Sequence, residues 1–216
     1  MKTSIKNLIA SLLTTVVLTS SAFASSDEPK NTITVLNQVK NISKLVVSGN
    51  VEVFLIQAST ESVKVYDSYY SKNALVQQEQ GVLRISSFQK ETLKVAVYVN
   101  NLSSIQASDN ATVKTFGKVS FLNLDVILKD NASADIEANT VSLYTSVKDS
   151  ASLTLSGATE DHTAVLGSVA KMSMNQFTAS SSSVSSIAVP IIASKKPATQ
   201  TLESLSLMDN FSEIGK

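Results

Sequence analysis

Three acidic residues recur at nearly constant distance along this chain, and no other side chains in it are better placed to do chemistry. Asp109, Asp130 and Asp149 are each followed by an amide or a hydroxyl: Asn110, Asn131 and Ser150. Stacked at strand spacing, such carboxylates and amides have the oxygen chemistry of a calcium site. The same residues at bends also satisfy neighbouring backbone amides and form a ladder. The structural reading is preferred, because a calcium loop converges several ligands from one segment, and Lys129 and Lys148 beside the aspartates offset their charge. No cofactor and no metal are expected.

The remaining candidates are weaker. His162 is the single histidine and follows Glu160-Asp161. With no cysteine or second histidine to share a metal or activate a nucleophile, it is read as an exposed residue of a polar turn. Tyr66, Tyr69, Tyr70 and Tyr98 form a candidate platform for a sugar or a partner, weighed against some of them filling the core. The chain has one arginine, Arg84, and its acids are scattered among serines and threonines. No acid–base pair is therefore assigned, and an enzyme is not expected. Asn-x-Ser/Thr sequences at Asn41, Asn101, Asn110, Asn131 and Asn210 are read as turns rather than glycosylation sites.

The elements that must position these residues come from a repeat. Ser108-Asp109-Asn110-Ala111, Lys129-Asp130-Asn131-Ala132, Lys148-Asp149-Ser150-Ala151 and Gly167-Ser168-Val169-Ala170 share one template. Their alanines recur at a nearly even interval of about 20 residues, the mark of stacked structural units. After each bend, small apolar residues alternate with polar ones, as in Ala132/Ala134/Ile136 against Ser133 and Asp135. Before it, Leu122/Leu124/Val126/Leu128 and Val141/Leu143/Thr145/Val147 alternate in the same way, the period of a strand with one buried face. Repeats too short to hold a crossover helix can lie parallel by coiling, each turn on the last. The expectation is an all-β fold, a right-handed parallel β-helix or β-solenoid with coils of about 20 residues. An antiparallel sandwich stays open as the alternative.

Upstream the pattern is less regular. Ser48-Gly49-Asn50 is read as an earlier bend, about three repeat lengths before Ser108-Asp109-Asn110. Gly81 after Gln80, ahead of Leu83/Ile85, reads as a hairpin turn, so this section is expected to be partly antiparallel. The solenoid domain is set at residues 31–192, followed by a loop at 193–200. Residues 201–216, where Leu205-x-Leu207-Met208-Asp209-Asn210 repeats the bend, are read as a last strand or cap.

Residues 1–24 read as a signal peptide: Lys2 and Lys6, an apolar stretch from Leu8 to Leu18, then Ala22-Phe23-Ala24. Residues 25–30 form a flexible lead. The apolar stretch is short for a membrane span and none follows, so the mature chain is expected to be exported, periplasmic or secreted, with no span. Without cysteine it is neither disulfide-bonded nor a lipoprotein. Removing Lys2 and Lys6 from 18 basic residues leaves 16 against 18 acidic ones, a charge of −2. Such a balance attracts neither nucleic acid nor anionic lipid.

Several segments together resemble the auto-transporter adhesin head domain, or GIN domain, a family of exported bacterial proteins of unknown function. They are Ser48-Gly49-Asn50-Val51-Glu52-Val53, Gly81-Val82-Leu83-Arg84-Ile85, Val97-Tyr98-Val99 with Leu102-Ser103-Ser104-Ile105, and the bends from Ser108 onward. The resemblance covers roughly Ile42 to Met174, and this chain departs from the family's glycine-rich bend by using Asp-Asn-Ala. It implies an exported β-helix-like fold and says little about activity.

The functional expectation is a non-enzymatic module that binds a surface glycan, an envelope component or a protein through the outward Thr112, Ser133 and Ser152, with Tyr69 and Tyr70 as further candidates. The alternatives are a β-helix lyase or hydrolase acting on carbohydrate, and a structural protein that self-associates through its exposed ends.

Overall fold

The computed structural model describes residues 33–66 and 74–187, and every regular element among them is a β-strand. The repeat region follows its own alternation. β8 (Ser104–Ala107) bends at Asp109 into β9 (Thr112–Thr115), β10 (Val119–Leu128) bends at Asp130 into β11 (Ser133–Val147), and β12 (Ser152–Gly167) follows the bend at Asp149. A last bend at residues 168–170 leads into β13 (Lys171–Ile187). Ala134, Ile136, Leu153 and Leu155 are buried while Asp135 and Thr154 face solvent.

Neighbouring strands are parallel. Ile105 lies beside Val126, Val126 beside Thr145 and Thr145 beside Ala164, so each step sideways advances the chain by one repeat. A long strand also changes neighbour along its length: β11 pairs with β9 at Ser133–Asp135 and with β10 from Ala138 onward. The strands bend between these pairings, so the sheet curls and encloses its apolar side. The result is an all-β, curled sheet of mostly parallel strands.

The first seven strands are β1 (Ile33–Leu36), β2 (Lys44–Gly49), β3 (Val51–Gln57), β4 (Ser62–Tyr66), β5 (Ala74–Glu79), β6 (Val82–Ser87) and β7 (Leu93–Val99). β5 and β6 form the antiparallel hairpin expected at Gln80-Gly81, both residues with positive φ (49° and 79°). β4 is antiparallel to β7, and β1 to β4. β2 and β3 lie between β6–β7 on one side and β8–β9 on the other, parallel to both.

That last arrangement places the early bend directly against the first of the later ones. Gly49 donates its N–H to Asp109 Oδ2 at 3.0 Å across a separation of 60 residues. The two bends are therefore adjacent layers, although about three repeat lengths of chain separate them. The intervening chain is stacked on the opposite side of β2–β3. It can be, because β4 and β5 reverse direction and return the chain to the far edge.

The alternation before the bends needs correction. Leu122 is 65% exposed and Val141 40%, although the alternation places both on the apolar side. Two consecutive exposed residues, Leu122-Asn123 and Val141-Ser142, shift the inward parity by one. A single extra residue turns the following side chains to the other face. The core stays continuous from Leu45 and Val53 through Leu83 and Val97 to Ile136 and Leu155, all at most 1% exposed.

The domain limits at residues 1–24, 25–30, 193–200 and 201–216, together with Tyr69, Tyr70 and Asn210, lie outside the described residues.

Candidate functional site

The recurring aspartates are brought into one file. Asp109, Asp130 and Asp149 all adopt the left-handed conformation, with φ of 58°, 59° and 54°, which Asp and Asn tolerate better than other residues bearing a Cβ. Asp130 Oδ2 accepts the N–H of Asp109 at 3.2 Å, and Asp149 Oδ2 accepts that of Asp130 at 3.1 Å. With Gly49 N–H on Asp109, each carboxylate caps the bend one layer toward the N-terminus. Asn131 Nδ2 donates to Asn110 Oδ1 at 3.0 Å beside them. Ala111, Ala132 and Ala151 sit inside the bends at no more than 1% exposure. The chain just past each is tied to the previous layer, Ser133 N–H to Ala111 O and Ser152 N–H to Ala132 O. One oxygen of each carboxylate is thus committed to the backbone. Among the described residues no group of three or more His, Asp or Glu side chains converges as a metal site would require.

Outward from the bends, the strand registers line side chains into rows. Thr112 lies beside Ser133 and Ser133 beside Ser152, all half-buried, with Thr112 Oγ1 and Ser133 Oγ 3.0 Å apart. Toward the N-terminal strands the row continues through Glu52, Lys94 and Tyr66. Glu52 holds Lys114 at 2.8 Å and reaches Lys94 at 4.0 Å. Lys64 Nζ stands 4.9 Å above the centre of the Tyr98 ring, an attraction between cation and ring quadrupole. Tyr66 and Tyr98 therefore share an outward face with three lysines. The sequence signal for this patch was present in the polar positions of Glu52, Lys64, Lys94 and Lys114, but only the pairing of β3, β4, β7 and β9 assembles it.

His162 is not in an exposed turn. It lies within β12 at 2% exposure, with Nε2 3.1 Å from Thr145 Oγ1 and Nδ1 3.3 Å from Ser182 Oγ. Its ring meets Phe177 edge to face at 5.3 Å. Glu160 and Asp161 are a consecutive exposed pair within β12, and the parity shift there returns the next residue to the interior, beside Leu143. Burial holds the imidazole below its ordinary pKa, because the charged form loses its hydration.

Two grooves open at the surface of the described residues. One of about 520 Å³ lies among Asn37, Lys40, Asn41, Glu61, Asn100 and Asn101, where Glu61 binds the N–H groups of Ile42 and Asn100. The other, of about 550 Å³, lies along the bend of β11 and β12. No helix among the described residues is long and apolar enough to cross a membrane.

Comparison with known proteins places this geometry. Residues 41–188 match the family described as "Putative auto-transporter adhesin, head GIN domain". Among solved structures, the chain is similar to a putative adhesin from Parabacteroides merdae (TM-score 0.59, 11% identity, 72% of this chain and 77% of that one). It is also similar to a putative adhesin from Parabacteroides distasonis (0.55, 14%, 72% and 77%) and to a putative lipid binding protein from the same species (0.57, 8%, 72% and 78%). At these identities the likeness concerns the fold. No curated protein matches the chain.

Proposed function

We propose, from the premise that this chain belongs to the auto-transporter adhesin head GIN domain family, that it is an exported, non-enzymatic binding module whose repeat face holds a surface glycan, an envelope component or a protein. The finer architecture in this reading is a right-handed β-solenoid with one bend per coil. Parallel neighbours drawn from successive repeats support it. Export rests on the sequence of residues 1–24, and the family name agrees with a place at the cell exterior.

One observation carries the binding reading. Thr112, Ser133 and Ser152 form an ordered hydroxyl row on an open face, continuous with Tyr66 and Lys94. Hydroxyls held at strand spacing suit a ligand that is itself an array of donors and acceptors. Such contacts are individually weak, about 1 kcal/mol each, so binding through this row would depend on several being made together. The test is capture of glycans or envelope fragments by the purified mature chain, repeated with all three residues changed to alanine. Loss of the captured partner supports the row, whereas retention of every partner removes it.

A second reading, self-association, is favoured by the edge strand β13. It is 17 residues long, pairs with β12 alone among the described strands, and ends in exposed Val184 and Ile187. Unpaired strand edges recruit other strands. Light scattering across a concentration series would report the resulting growth in mass.

A further inference from the structure

We infer that the groove along the bend of β11 and β12 is a binding site for a neutral, extended polysaccharide strand lying across the β-strands. Two outward rows form its walls. In the first, Glu137 lies beside Ser156 and Ser156 beside Gln176, and Lys118 stands just ahead of β10 at the same level. In the second, Asn139 lies beside Ala158, and Ser120 and Thr178 continue the row beyond the groove on either side. Between the rows runs the backbone of Val119, Ala138, Gly157 and Phe177; Val119, Ala138 and Phe177 turn their side chains to the inner side, and Gly157 has none.

Gly157 makes the bend that brings the rows together. Its φ is +102°, and a Cβ there would overlap the carbonyl oxygen of Ala138. No residue with a side chain fits this path. Beside it the second wall drops to the methyl of Ala158, leaving about 550 Å³ open between the rows.

The wall chemistry selects the ligand. Asn139 and Gln176 each offer a donor and an acceptor, and Ser156 adds a hydroxyl, the complement of a polymer dense in hydroxyls. Lys118 and Glu137 make no ion pair among the described residues and carry opposite charges on one wall. The groove therefore has no net sign to favour a polyanion. An extended peptide fits less well. The floor strands are already paired on both sides along β11 and β12, which leaves no row of backbone groups for a peptide to pair with. Each strand presents a polar group about 4.8 Å from the next, comparable to one sugar residue of an extended chain.

This site deepens the reading of the domain as a carbohydrate binder and rests on it, but on a different surface from the Thr112–Ser133–Ser152 row. The test titrates the mature chain with hexasaccharides of β-linked glucose and of β-linked N-acetylglucosamine, following the side-chain amide signals of Asn139 and Gln176 by NMR. At least one hexasaccharide is expected to shift both amides. Ala158→Arg, which fills the groove from an exposed position, should weaken binding roughly ten-fold or more, and the Asn139→Ala/Gln176→Ala double variant should do the same without adding bulk. The triple alanine variant of the hydroxyl row should still bind. If a hexasaccharide binds and both groove variants bind it equally well, the groove is wrong while the carbohydrate reading stands. If neither hexasaccharide binds and a broad glycan array is also blank, the carbohydrate reading fails as well. Shifts of the two amides produced by extended peptides and not by sugars would overturn the proposal in favour of a protein ligand.

Discussion

The chain makes the same left-handed bend in two ways, and the two halves of the molecule differ accordingly. In the N-terminal half Gly49 turns at φ +81° with the Ser87 carbonyl packed where a Cβ would stand. In the repeat half Asp109, Asp130 and Asp149 turn at 54–59° with side chains present, and each carboxylate binds the amide of the bend before it. Glycine removes the steric cost of the left-handed conformation. Aspartate accepts that cost, about 1 kcal/mol or a little more, and offsets it with a charge-assisted hydrogen bond. A glycine bend permits close packing of backbones, whereas an aspartate bend specifies which layer comes next.

The interiors diverge in the same direction. The strands before the bends contribute Leu45, Leu83 and Ile105 at the N-terminal end. Farther along, one file runs through buried Leu124, Leu143 and His162 to Ser182, which is exposed in the last strand. Apolar burial holds the first half together, while hydrogen-bonded ladders take a growing share in the second.

The strongest way to break this contrast is Gly49→Ala. If the glycine is there for close backbone contact, the variant should lose about 3 kcal/mol in urea denaturation, and an unchanged midpoint would mean that the bend has room to relax. A sharper and smaller effect separates the two demands at an aspartate bend. Asp130→Ala should cost about 1.5 kcal/mol and Asp130→Gly about half of that, because glycine restores the backbone freedom but not the acceptor for Asp109 N–H. Equal costs would place the whole effect in the hydrogen bond. The smallest effect concerns the polar interior. His162 is held below its ordinary pKa by burial, so the unfolded chain takes up its proton first as pH falls below about 6.5. Its contribution to stability is complete above that pH and declines below it. His162→Leu, matching Leu143 beside it, should flatten this slope between neutral pH and the acid side in thermal unfolding series, and an unaltered slope would assign it to other groups.

Much of the repeat half was legible because its information is local. One template of Asp, Asn or Ser, and Ala names each bend, and the near-constant interval names the neighbour. The hairpin at Gln80-Gly81 was legible for the same reason. The stacking of β2–β3 directly beneath β8–β9 was not, since no residue in Ser48-Gly49-Asn50 states that the following chain will be laid on the opposite side. Polarity alone sets His162 at the surface, whereas the extra residue at Glu160-Asp161 turns it inward next to hydroxyl partners. The positions of the hydroxyl row follow from strand parity, but the groove farther along β11 and β12 does not. Its walls are ordinary polar residues, and only Gly157, in the floor between them, marks where the strand changes direction.

The direction of the aspartate contacts carries a consequence for how the molecule is assembled. Every carboxylate reaches back, so a bend is completed only when the following layer arrives. A chain delivered N-terminus first, whether from a ribosome or through a translocation pore, would therefore close its bends in the order in which they emerge, each finished layer serving as the template for the next. Unravelling would run the other way, starting from β13, whose layer carries Ser168 where the earlier bends carry aspartate.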